Sequence, residues 1–219
     1  MKLASYIKNG NHSYGVMTDN GIIDLGGPLG GQFADLKSLL AAGMKEAAAF
    51  AQDAPVDTKL EDVQLLPVIP NPGVVWAAGM NTHSHYVEAK DAMGLKEIPK
   101  VPMFFLRATN TLVASGEALE KPLKEPAFDY EGEIALIIGR RCRNVSVEDA
   151  LDYVAGYAPF NDRSARFFQI SHYQVTTGKN AYRSVAFGPC MATAAPLHTE
   201  SMELTKRVNG RQPQTNKAE

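Results

Sequence analysis

The sequence predicts a β-rich α+β fold, with a small N-terminal α+β domain ahead of a larger β-rich domain, and three observations carry that prediction. Short apolar runs of strand character recur along the chain, several of them punctuated by Asn-Gly and Gly-Gly pairs that mark turns. Sustained helical spacing of apolar residues is confined to residues 34–54 and to a segment following Asn144. A proline-dense stretch at Pro67, Pro70 and Pro72 reads as a linker, which sets the boundary near residue 70: a domain over 1–70, then a second over 71–219.

In chain order, strands are expected at 3–7, 13–17 and 22–25. The Ala-, Leu-, Lys- and Glu-rich run from 34 to 54 reads as two short helices separated at Gly43. Beyond the linker, strands are expected from Val74, over 103–106 and over 134–138. Ser146, with Asp149 three residues on, writes the start of a helix that should end near Ala155 and Gly156. Strands at 157–161 and 185–193 follow, the first delivering Asp162 to its carboxyl end. The final stretch begins like a strand, turns at Asn209-Gly210, and then reads as a polar tail without a closing element.

At 219 residues the chain is long enough to bury roughly 70% of the surface of its unfolded form. Its 22 basic and 24 acidic residues leave a formal net charge of −2, which suggests neither a nucleic-acid nor an anionic-membrane partner. The opening residues show no apolar secretion signal, so a cytoplasmic protein is expected. Cys142 and Cys190 sit far apart in unlike contexts and read as two reduced thiols.

The chemistry is suggested by carboxylates. Glu131 and Glu133 are one residue apart at the entry to an apolar run, so a strand places both on one face, and Asp162 follows about thirty residues later. Acids next to a core segment are costly unless a cation neutralises them. An all-oxygen set without cysteine points to Mg2+, Mn2+ or Ca2+ rather than zinc. The bland alternative is a solvated outer face.

A second cluster holds His83, His85 and Glu88. On a helical turn Glu88 and His85 share a face, and Glu88 would orient His85 as a general base; the bland alternative is a surface helix capped by Asn81 or Thr82. A cupin-like His-His-Glu metal site is the rival, but the two-residue spacing and the lack of β-branched alternation fit it poorly. Lys179, after a glycine in a polar loop, would donate to a substrate carboxylate or a developing oxyanion; alone it reads as an exposed loop lysine.

Taken together these motifs resemble the fumarylacetoacetate hydrolase (FAH) family over about residues 71–211. Gly79, Asn81, His85 and Glu88 match GxNxxxHxxE; Asp129 to Gly139 matches DYExELxxxIG; Gly156 to Gln169 matches GYxxxNDxSxRxxQ; Gly178, Lys179, Gly188 and Pro189 match a fourth motif in part. The resemblance implies an FAH-type mixed β-roll/barrel catalytic domain and a homodimer. It implies a metal held by Glu131, Glu133 and Asp162, water activated by His85 with Glu88, Lys179 on the developing charge, and substrate contacts at Arg107, Gln169 and Tyr173. The implied reaction is hydrolysis of a carbon–carbon bond in a 2-oxo acid or 1,3-dicarbonyl, either an acylpyruvate or a fumarylacetoacetate-like compound. Lyase, decarboxylase or isomerase chemistry on a related 2-oxo acid is the alternative. Thr82, Phe167, Ala181 and Tyr182 depart from the family pattern around the substrate. A GTPxGVG-like loop of the family is not present in this sequence, so the resemblance also implies a C-terminally incomplete catalytic domain, with a non-catalytic remnant as a further alternative.

Overall fold

The computed structural model of the chain describes residues 1–90, 97, 100–171, 174–194 and 202–217. Strands β1 (Lys2–Lys8), β2 (Asn11–Thr18) and β3 (Gly21–Asp24) form the antiparallel meander that the turn residues predict. Asn9 and Gly10 take φ of 51° and 78°, the left-handed pair that a two-residue hairpin loop demands.

A helical turn, α1 (Gly26–Leu29), precedes α2 (Leu36–Ala41) and α3 (Lys45–Asp53), so two helices do occupy the Ala-rich stretch. Asp35 and Ser38 close a reciprocal capping box on α2, and Gly43, at φ 95°, makes the break between the two helices. Leu36, Leu39 and Leu40 point from α2 into the core with Leu3, Tyr14, Val68, Leu112, Val185 and Met191. Each of the larger of these side chains contributes about 2–3 kcal/mol by leaving water.

The chain continues through β4 (Gln64–Leu65), β5 (Val75–Gly79), α4 (His83–Ala89), β6 (Met103–Arg107), β7 (Leu112–Val113), β8 (Phe128–Asp129) and β9 (Gly132–Ile138). Then come β10 (Val154–Asp162), β11 (Ser164–Ala165), α5 (Arg166–Ile170), α6 (Thr176–Lys179), β12 (Val185–Phe187), β13 (Met191–Thr193), β14 (Glu203–Lys206) and β15 (Gln214–Lys217). A nine-stranded sheet runs β3-β2-β1-β13-β10-β12-β7, with β4 on β1 and β9 on the free edge of β10. The sheet is continuous across residue 70, because β1 pairs with β13. Three two-stranded sheets, β5 with β6, β8 with β11 and β14 with β15, complete the strand-rich α+β architecture.

Three local expectations are corrected. Ser146 does accept from the Asp149 amide at 3.2 Å, yet only a 3-10 turn at Ala150–Tyr153 follows, and Val154 already begins β10. Val147 and Leu151 are exposed, so a longer helix would have no apolar stripe to bury. The strand expected over 185–193 is two strands, parted where Gly188 takes φ 140° before Pro189, which has no N–H for a ladder. The polar tail contains β15, which pairs with β14 across the Asn209-Gly210 turn. Among the described residues no helix is long and apolar enough to cross a membrane.

Candidate active site

The register of β9 against β10 sets the site. Phe160 lies opposite Glu133 and Asn161 opposite Gly132, and the Asp162 amide donates to the Glu131 carbonyl at 2.7 Å, which puts Asp162 across from Glu131. Opposite residues of an antiparallel pair share a face, and i, i+2 neighbours do too, so Glu131, Glu133 and Asp162 stand on one face of the sheet. The β8–β11 pair extends this corner by placing Asp129 opposite Ser164.

Three cations converge on that face. Lys179 Nζ bridges two of the acids, at 2.7 Å from Glu131 Oε2 and 2.6 Å from Asp162 Oδ2. Arg107 at the end of β6 donates from Nε to Asp162 Oδ1 at 2.5 Å and from a terminal nitrogen to the Arg163 carbonyl at 2.7 Å. Arg166 at the start of α5 pairs with Asp129 at 2.8 Å and with Glu131 Oε1 at 2.7 Å, and it donates to Gln169 Oε1 at 2.8 Å. Ser164 Oγ donates to Glu131 Oε1 at 2.6 Å. Lys179 also lies 4.9 Å from the centre of the Phe105 ring, a favourable cation–π contact in a desolvated place.

Several features of the sequence make this geometry local. Gly178 packs so closely on α5 that a Cβ there would fall 2.6 Å from Gln169 Cα and 2.7 Å from its amide nitrogen, so a larger residue would push Lys179 away. Glu125 is buried and accepts from the amides of Ala127, Phe167 and Phe168 at 2.7, 3.2 and 3.3 Å, which pins the start of α5 and with it Arg166. Burial opposes the Glu125 charge, but those three amides hold its carboxyl below the usual range.

Glu133 differs from its two neighbours. None of the described residues donates a hydrogen bond to it or pairs with it, whereas Glu131 and Asp162 are fully engaged. Burial first, then the charges of Glu131 and Asp162, push its carboxyl up to about 7, against weaker opposing pulls from Lys179 and Lys206. Burial disfavours the charged guanidinium of Arg166, yet Glu131 and Asp129 hold its pKa above the ordinary value.

Of the residues singled out from sequence, Glu131, Glu133, Asp162, Lys179 and Arg107 come together here, and Gln169 joins through Arg166. His85 lies on α4, where Thr82 caps the helix by accepting from the His85 amide at 3.3 Å. Its imidazole makes no hydrogen bond with the acid cluster among the described residues. Glu88 is on the same helix, and Tyr173 lies outside the described residues. Arg166, Ser164, Asp129 and Glu125 are the additions. Ser164 and Arg166 sit at fixed positions of the GYxxxNDxSxRxxQ motif, whereas nothing in the Lys-Glu-Pro context of Glu125 marks it for burial.

Three carboxyls on one face, one of them without a partner among the described residues, are oxygen donors of the kind that could hold a hard divalent cation. The Lys179 ammonium stands between Glu131 and Asp162, and among the described residues no three His, Cys, Asp or Glu side chains form a ready cage.

A strand-rich α+β fold thus presents three acids on one sheet face, two of them paired with Lys179, Arg107 and Arg166. The Fumarylacetoacetate (FAA) hydrolase C-terminal model matches residues 74–219, and the chain belongs to that family. It is 32% identical over 163 residues to the oxaloacetate tautomerase YisK of Bacillus subtilis, covering 73% of this chain and 53% of that protein. The fumarylacetoacetate hydrolase of the psychrophilic Exiguobacterium antarcticum superposes with a TM-score of 0.79 at 28% identity, over 98% of this chain and 75% of that one. Maleylpyruvate hydrolase of Sphingobium sp. SYK-6, solved with manganese(II) and pyruvate, gives 0.69 at 25% identity, over 93% of this chain and 71% of that one. The chain spans 53% to 63% of the length of curated relatives that it matches at 32% identity.

Proposed function

We propose that this chain carries the site of a divalent-metal-dependent enzyme acting on 2-oxo acids through their enol forms. Its leading reaction is hydrolysis of a carbon–carbon bond in an acylpyruvate or fumarylacetoacetate-like 1,3-dicarbonyl. The observation that carries the reading is Glu133, a carboxyl without a partner among the described residues, held beside two charged ones, for which a divalent cation is the fitting counter-charge. The manganese and pyruvate bound to the Sphingobium enzyme support the same ligand chemistry. Glu131, Glu133 and Asp162 would hold the ion, Mg2+ or Mn2+, which when bound supplies Lewis-acid stabilisation of negative charge on substrate oxygen.

The chain's own groups do the rest. Lys179 places a buried positive charge and N–H donors beside the acids, where developing oxyanion charge is best stabilised in a dry site. Arg166 and Gln169 present planar donors suited to a carboxylate. Helix α4 sets His85 and Glu88 at i and i+3, the spacing from which Glu88 can orient the imidazole to take a proton from water.

Tautomerisation, isomerisation or decarboxylation of a related 2-oxo acid is the second reading. It is favoured by the likeness to the B. subtilis tautomerase.

Chelator-stripped protein is tested with Mg2+ or Mn2+ while the ultraviolet absorbance of an acylpyruvate, and the enol content and CO2 release of oxaloacetate, are followed. Turnover that requires metal and falls at least about 100-fold in Glu131→Ala supports the assignment. Metal-independent turnover, or full activity in Glu131→Ala, contradicts it. Loss of acylpyruvate cleavage in His85→Ala with oxaloacetate tautomerisation retained would move the assignment to the second reading.

A further inference from the structure

Asp162 is gripped from both sides by cations that come from separate parts of the chain. Arg107 ends β6 and takes Oδ1; Lys179 ends α6 and takes Oδ2. One side chain ties those two segments together. Asn180 Oδ1 accepts from the Ala108 amide at 2.6 Å, while its Nδ2 donates to the Leu106 carbonyl at 3.0 Å and to the Thr176 carbonyl at 3.1 Å.

The geometry is that of a strand neighbour. By accepting from residue 108 and donating to residue 106, the Asn180 amide pairs with the edge of the chain on both sides of Arg107, as another backbone would. Its third bond fastens the same group to the first residue of α6, three positions before Lys179. No backbone hydrogen bond joins β6 to α6 among the described residues; the nearest runs from the Arg183 amide to the Asn110 carbonyl.

We propose that Asn180 is a positioning residue that sets the spacing of Arg107 and Lys179, and so the orientation of the Asp162 carboxylate between them. Its bearing on turnover rests on the function proposed above; its bearing on the two cations does not. An asparagine suits the task because it offers one acceptor and two donors on a short stem. Aspartate keeps only the acceptor, and alanine keeps neither.

The test is trace acetylation of lysines in the whole protein, read by mass spectrometry, together with amide hydrogen exchange. Lys179 should label slowly in wild type and at least about fivefold faster in Asn180→Ala, relative to exposed Lys59 in the same molecule, because loss of the tie opens the buried ammonium. Asn180→Asp should fall between the two. In wild type the Ala108 amide should be protected from exchange. A purely structural role would instead speed exchange throughout the sheet, including Leu3 and Val16, and leave no preference for Ala108 and Lys179; that result overturns the proposal. So does an unprotected Ala108 amide in wild type, or unchanged Lys179 labelling in a folded variant. Should Asn180→Ala fail to fold, wild-type exchange and Asn180→Asp decide the matter. All of these readouts stand whether or not metal-dependent turnover is found.

Discussion

Lys179 Nζ lies 2.6 Å from Asp162 Oδ2, with the two side chains 4% and 5% exposed. A pair so far from water repays its desolvation only when the remaining lone pairs and protons are also satisfied. Most of them are: Arg107 takes the other oxygen of Asp162, and Glu131 takes a second proton of Lys179, while Arg107 Nη1 is left without a hydrogen-bond partner among the described residues.

Lys179→Met should therefore cost about 3–5 kcal/mol of folding stability, since it leaves two buried carboxylates short of a cation. Lys59→Met removes an ion pair whose partners are 74% and 75% exposed and should shift stability by no more than about 0.5 kcal/mol. Urea unfolding of both variants checks the contrast.

Glu133 predicts a pH effect of the unusual sign for a carboxylate. Its folded pKa of about 7 is raised above the ordinary 4.5, so its contribution to stability is fully present below 4.5 and is lost as pH rises through 7. In chelator, Glu133→Gln should match wild type near pH 4 and exceed it at pH 8 by on the order of 1–2 kcal/mol, after allowance for solvent screening. Thermal melts of the two proteins across this range give the difference directly. A wild type as stable as the variant at pH 8 would contradict both the burial penalty and the like-charge repulsion assigned to Glu133.

Glu125 predicts the opposite sign. Its carboxyl is held low, so its contribution is present above the ordinary carboxylate pKa and is lost as pH falls through the lowered folded value. Glu125→Gln keeps one acceptor oxygen for three amides and should cost about 2 kcal/mol at pH 7. Because Phe167 and Phe168 anchor α5, it should also loosen Arg166, seen as faster amide exchange over α5.

The acid doublet is legible in the sequence because strand alternation fixes which side chains share a face: Glu131 and Glu133 had to point together wherever their strand lay. The N-terminal meander is equally plain, since Asn9-Gly10 admits few other conformations. What alternation cannot reveal is partnership across long separations. Arg107 and Lys179 reach Asp162 from 55 and 17 residues away, and Asn180 reaches Ala108 from 72. Burial of Glu125 is hidden for the same reason. The helix read after Ser146 shows the reverse limit: its cap is genuine, but Val147 and Leu151 face solvent, so no tertiary packing extends the turn.

The account turns on one cation shared by Glu131, Glu133 and Asp162, and Mn2+ titration of chelator-stripped protein at pH 8, read by electron paramagnetic resonance, tests it most directly. Wild type should bind one equivalent, with affinity at least about tenfold weaker in Glu133→Gln and Asp162→Asn. Binding that is absent in folded wild type, or equally tight in both variants, would contradict it.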